Sequence, residues 1–186
     1  MPTGLTHAVV GLALSEVLTG PAHSPLFRGL SMALAAAPDL DILAFPLGIP
    51  YGSFFGHRGF FHSLSCALLS GLIIALMTCQ AFALSWWQLW GFFFVVIASH
   101  GILDGFTNGG LGIAFLSPFD TRRYFFPWRP IEVSPIGMAF FSTWGLRVLA
   151  SELLWVGLPT ACLVRAVWLY RVSRRFAEPR GSANRR

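Results

Sequence analysis

The chain has 186 residues, 55% of them hydrophobic and 11% charged, with a mean hydropathy of +0.64, whereas a soluble domain carries roughly 25% charged residues. This composition excludes an ordinary soluble enzyme and predicts an all-α, polytopic membrane bundle. At ~20 residues per span, the length holds four or five transmembrane helices with short connections and no large independent soluble domain.

The first predicted helix runs from Leu5 to Leu18, with His7 near its start and Glu16 near its end. It lacks the basic flank of a signal peptide and reads as a retained segment. "TGPAHSP" ends it, a Gly/Pro turn signal that contains His23. A second helix runs from Leu26 to Phe45. Pro38 interrupts it, and a proline there kinks or ends a helix, so Asp39 and Asp41 are expected in extended backbone, pointing to one side.

Residues 46–60 form a Gly/Pro-rich connection that runs into "HRGFFHS" at 57–63, with His57 in the loop, His62 in the first helical turn and Gly59 as the bend. From Phe61 to Ser99 there is no Asp, Glu, Lys or Arg. That length suits two spans joined by "QAFALS", with Trp86, Trp87 and Trp90 as an interfacial belt.

Residues 105–143 are polar and rich in Gly and Pro, too irregular for a membrane helix, and are expected to be a long loop of functional use. A last span from Trp144 to Tyr170 leads into a tail rich in arginine. All thirteen basic residues are arginine, and seven fall in the last 22 positions. Beside an apolar segment such a tail reads as a cytoplasmic anchor rather than a nucleic-acid binder. The division expected is one membrane-embedded domain over 1–172 and a basic, disordered tail over 173–186. The three cysteines, Cys66, Cys79 and Cys162, lie in apolar runs with no metal or disulfide spacing.

Threading these spans alternately through a bilayer brings His7, Asp39, Asp41, His57, His62, His100 and Asp104 to one face. Glu16 and His23 fall toward the other and read as structural. "SHGILD" puts His100 and Asp104 one helical turn apart, so both can reach one ion. Paired carboxylates repel unless a cation lies between them. Four His and three Asp exceed what one tetrahedral zinc uses and suit two divalent ions of zinc, manganese or iron type. Arg58 is expected to bind an anionic oxygen. Thr107 and Asn108 of "TNGG" are expected to orient water.

At these residues the chain resembles the LexA-regulated, YdjM-like inner-membrane proteins, a family described as membrane-bound metal-dependent hydrolases. The matching stretches, in order between residues 3 and 119, are "THAVVG", "PDLD", "HRGFFHS", "SHGILDGFTNGG" and "SPF". The resemblance implies a small helical protein of the bacterial inner membrane with a metal site made by the seven residues named above. A more distant likeness to zinc-dependent phospholipase C and P1 nuclease, which also carry HxxxD on a helix, favours phosphoesters.

The function expected is metal-dependent hydrolysis of a lipid or lipid-linked phosphoester at the bilayer surface. The same residues would also serve an ion pathway in a transporter, or a metal that only clamps helices. A transporter calls for polar groups through the bilayer, and residues 63–97 hold few.

Overall fold

The computed structural model describes residues 1–19, 24–135 and 137–177. His23 and the tail beyond Ala177 lie outside them. Six α-helices follow in chain order: α1 (Gly4–Leu14), α2 (Pro25–Ala36), α3 (Leu64–Thr78), α4 (Trp86–Gly105), α5 (Thr143–Glu152) and α6 (Leu158–Ala177). Among the described residues there is no strand, only isolated bridges at Thr107–Ile131 and Ile113–Tyr124.

Short polar residues start most of these helices, because the first backbone N–H groups of a helix have no partner within it. Thr3 accepts from the Thr6 amide at 3.3 Å, Ser24 from Phe27 at 3.3 Å and Ser63 from Cys66 at 3.0 Å. At α4, Ser85 and Gln88 form a reciprocal capping box.

Helices α1 to α4 pack on one another around Phe27, Leu89, Phe93 and Val96, all fully buried. Phe27 stacks on Phe92 at 4.8 Å between ring centres and meets Phe82 edge-on at 5.0 Å. Gly11 lets α1 close on α2: a Cβ there would lie 2.7 Å from that of Ala35.

Three sequence expectations change in the structure. The second predicted span is not one element, since α2 gives way at Ala37 to a 3-10 helix over Ala37–Ala44. Pro38 sits in its first turn, where a missing N–H costs nothing. With about three residues per turn, positions two apart diverge, so Asp39 and Asp41 point in different directions rather than to one side. The last predicted span is longer than expected, an apolar run of 32 residues from Thr143 to Arg174. A π-helical turn, Leu153–Gly157, interrupts it, just before Pro159, whose ring would clash with the carbonyl four residues back in a regular helix.

The expected four or five spans are met in part. Among the described residues, Trp86–Gly105 and Thr143–Arg174 are both long and apolar enough to cross a bilayer, while Gly4–Leu18 and Leu64–Thr78 are apolar but shorter. The 15 residues of α3 rise about 22 Å at 1.5 Å each, short of a ~30 Å hydrocarbon core.

The irregular stretch after α4 folds back over the loop that carries His57. Ala114 N donates to Arg58 O at 3.2 Å, and Leu64 N donates to Phe115 O at 3.0 Å. Arg123 reaches across to the carbonyls of His57 at 2.8 Å, Tyr51 at 3.0 Å and Ser53 at 3.2 Å. Burial of Ile113 and Ile131 anchors the stretch to the helices.

Candidate metal centre

Four pieces of chain deliver the polar cluster. His7 comes from the first turns of α1, Asp39 and Asp41 from the 3-10 helix after α2, His57 and His62 from the loop and turn before α3, and His100 and Asp104 from the last turns of α4. Six of the seven side chains are buried, and Asp39 keeps 13% of its side chain exposed.

The donors fall into two groups that share His62. Asp39, His62, His100 and Asp104 offer ligand atoms within 4.8 Å of one another, and so do Asp41, His57 and His62. In the first group His62 Nε2 lies 3.7 Å from Asp39 Oδ1 and 3.5 Å from Asp104 Oδ2, while His100 Nε2 lies 3.2 Å from Asp39 Oδ1. In the second, His57 Nδ1 is hydrogen-bonded to Asp41 Oδ1 at 2.5 Å, and His62 Nδ1 lies 3.1 Å from Asp41 Oδ2. The 3-10 geometry explains the split: Asp39 turns to one group and Asp41 to the other.

His7 belongs to neither group but adjoins the first. Its ring stacks on His100 with centres 3.7 Å apart, and its Nε2 lies 3.4 Å from Asp104 Oδ1.

A cation suits this arrangement on three grounds. Both oxygens of Asp39 and of Asp104, both nitrogens of His7 and Nδ1 of His62 are buried without a hydrogen-bond partner. Such groups cost about 1–3 kcal/mol each, and more when charged. Next, His100 Nδ1 lies 2.8 Å from the Ala35 carbonyl, which can only accept, so Nδ1 carries the proton and Nε2 faces the cluster with a lone pair. Finally, three carboxylates, those of Asp39, Asp41 and Asp104, converge where one guanidinium, Arg58, is placed, an arrangement whose carboxylate charge a divalent ion balances.

Arg58 does not face solvent. It is 1% exposed, with Nε 3.2 Å from Asp104 Oδ2, one terminal nitrogen donating to Gly109 O at 2.7 Å and the other to Thr107 Oγ1 at 3.0 Å. Its backbone takes φ 63°, a left-handed conformation that costs a non-glycine residue roughly 1–3 kcal/mol. Its amide donates to Asp41 Oδ2 at 3.0 Å, and that bond helps hold the turn. The bend expected at Gly59 is therefore made at Arg58. Gly59 instead permits close packing, since a Cβ there would lie 2.8 Å from Gly56 O.

Thr107 is fully buried; it donates to Asp104 O at 2.7 Å and accepts from Arg58. The side chain of Asn108 turns elsewhere, donating to Glu132 Oε2 at 2.7 Å and accepting from Val133 N at 3.0 Å. So of the three residues expected to act on substrate, Arg58 and Thr107 brace Asp104, and Asn108 ties the loop to residues 132–133. Around them, burial pushes the Tyr51 phenol up and the Arg123 guanidinium down. On the exposed part of the loop, Arg122 beside Asp120 holds that carboxyl well below the usual carboxylate range.

Sequence reasoning missed Glu152. It is 3% exposed and accepts from the Thr3 amide, from Thr3 Oγ1 at 2.7 Å and from Thr6 Oγ1 at 2.6 Å. It thereby fixes the start of α1 through Thr3 and Thr6, the latter next to His7. An acid inside an apolar span is the signal that would have found it. Glu16, by contrast, pairs with Arg28 at 2.6 Å and its carbonyl accepts from Arg171, a structural role as expected.

Comparison with known proteins assigns the chain to a family. Residues 1–177 match the family model described as YdjM inner membrane protein. The chain is 38% identical over 172 residues to the inner membrane protein YbcI of Escherichia coli strain K12, covering 92% of this chain and 99% of that protein. No solved structure matches. With its whole helical part matched, the chain belongs to the YdjM inner membrane protein family.

Proposed function

We propose that the chain is a membrane-embedded metal-dependent hydrolase acting on a phosphoester, or a related ester, of a lipid or lipid-linked substrate. The observation that carries this reading is the set of buried, unpartnered carboxylate and imidazole atoms converging from four pieces of chain. Asp39, His62, His100 and Asp104 would hold one divalent ion of zinc, manganese or iron type, and Asp41, His57 and His62 a second, with His7 beside the first. To serve both ions His62 would have to give up its remaining ring proton and bridge them as an imidazolate, since a neutral imidazole has one lone pair. Bound there, such ions lower the pKa of water and polarise an ester oxygen.

The chain's own residues prepare that chemistry. The Ala35 carbonyl sets the His100 tautomer. Arg58 holds Asp104 and Thr107 and balances one of the three carboxylate charges. Asp39, the least buried of the set, marks the side from which substrate enters.

In this reading α1 to α4 and the α5–α6 rod together span the inner membrane, the shorter helices inside the bundle or where the bilayer is thinned around them. The arginine tail stays in the cytoplasm, which puts the site on the outer face. Four arginines on the site side would argue the reverse, but three of them have partners in the chain. Arg58 is buried on Asp104, Arg123 binds three carbonyls, and Arg122 pairs with Asp120 at 2.8 Å.

A screen of the full chain in proteoliposomes against phosphatidic acid and other lipid phosphoesters tests the activity. Hydrolysis that requires divalent metal and is lost in Asp104→Ala supports the proposal. Full activity in a metal-free variant contradicts it. The depth of burial favours a second reading, in which the ions only clamp the helices. Tight metal binding without hydrolysis of any ester offered would establish that alternative.

A further inference from the structure

A separate cavity of about 190 Å³ lies beside the centre, lined by Ser53, Gly59, Ser117, Thr121 and Arg123 among others. It is walled by the loop that carries His57 and by the irregular stretch after α4. At ~30 Å³ per water it has room for several waters or one tetrahedral oxyanion.

Two features give it a charge and a donor. Arg123 contributes a half-buried cation with no carboxylate within 4.0 Å among the described residues; its terminal nitrogens bind only the carbonyls of His57, Tyr51 and Ser53. Carbonyl oxygens orient a guanidinium without neutralising it, the centre of the Tyr51 ring lies 5.6 Å from its carbon, and the N–H groups not taken by carbonyls suit phosphate oxygens. Ser117 is 1% exposed and lines the same cavity, and its Oγ has no hydrogen-bond partner. A buried hydroxyl left alone is costly, and here it stands where an anion's oxygen would accept from it.

We propose that this cavity is a binding site for a phosphate group, distinct from the metal centre and bounded by the same loop. It would hold either a free phosphate or the phosphate of a lipid headgroup. The proposal concerns binding alone, so it stands or falls apart from the hydrolase reading. If that reading also holds, the site would retain a phosphate next to the ester being cleaved.

The test is calorimetric titration of the detergent-purified full chain with inorganic phosphate and with short-chain phosphatidic acid, in EDTA so that no metal contributes. Saturable binding of either probe is expected, weakened roughly tenfold in Ser117→Ala, which loses one charge-assisted hydrogen bond, and abolished in Arg123→Gln. Binding of both probes identifies a site open to free phosphate, and binding of phosphatidic acid alone identifies the headgroup. Because Arg123→Gln also removes three loop contacts, Ser117→Ala, a small change, guards against misfolding. The proposal is overturned if neither probe binds, if Ser117→Ala binds both as the unaltered chain does, or if binding appears only when metal is restored.

Discussion

His62 and His100 meet Nε2 to Nε2 at 3.0 Å. Since the Ala35 carbonyl accepts a hydrogen bond from His100 Nδ1, Nε2 is the nitrogen that faces His62. Two imidazoles converge in this way when they share a cation or a single proton, and the unpartnered carboxylates of Asp39 and Asp104 beside them favour the cation. His62 also faces Asp41 through its other nitrogen, so it is the hinge between the two donor groups.

That position makes the histidines inequivalent. His57→Ala removes a ligand only from the group with Asp41, and is expected to halve the metal content and leave the other site filled. Elemental analysis of the purified variant checks this, and an unchanged content would remove His57 from the ligand set.

Glu152 is expected to act through α1. In Glu152→Ala the donors of Thr3 and Thr6 are left without their acceptor, at a cost of about 2–4 kcal/mol. Thermal denaturation in detergent is expected to show a lower midpoint. Glu152→Gln keeps one acceptor oxygen and is expected to lose less. Equal stability in all three proteins would show that the network does not hold the start of α1.

Gly101 sets the separation between α4 and the turn before α3. A Cβ there would lie 2.6 Å from the His62 carbonyl, closer than real contacts allow, so Gly101→Ala must push His62 away from His100. Metal affinity is expected to fall by 10-fold or more, as when a group that orients a ligand is lost. Titration with a metal-competing chromophoric chelator measures it, and native affinity would contradict the packing argument.

Removing metal from the intact chain is expected to destabilise it, because ions that bind only the folded state stabilise it by mass action. At ligand concentrations near 100 times the dissociation constant the effect is about 2.7 kcal/mol. Chelation should therefore lower the unfolding midpoint, and re-addition of zinc, manganese or iron should restore it. Insensitivity to chelation in protein shown to hold metal would place the ion outside the fold.

Much of this site was legible in the chain. The i, i+4 spacing of His100 and Asp104, and the alternation of spans that gathers seven polar side chains at one end, required only helix geometry and the cost of ionisable groups in an apolar segment. What was not legible depends on backbone detail or on distant contacts. Whether "PDLD" runs extended or as a 3-10 helix decides if Asp39 and Asp41 share an ion, and Pro38 is compatible with both. Arg58 reads as a substrate ligand until Gly109 and Thr107, about fifty residues away, are seen to occupy it. Glu152 finds Thr3 across 149 positions, a pairing without local pattern. The number of spans was not legible for a different reason: apolar composition identifies buried helices as readily as lipid-facing ones, and among the described residues two helices have the length to cross a bilayer on that ground.

The measurement that bears most directly on the account is the metal content of the full chain and of His62→Ala, purified identically and analysed by mass spectrometry of the elements. About two divalent ions per chain are expected, as in paired metal sites, and close to none in His62→Ala, since that residue serves both groups. A chain that holds no metal as purified and takes up none from zinc, manganese or iron would contradict the account, as would a His62→Ala variant that keeps the full complement.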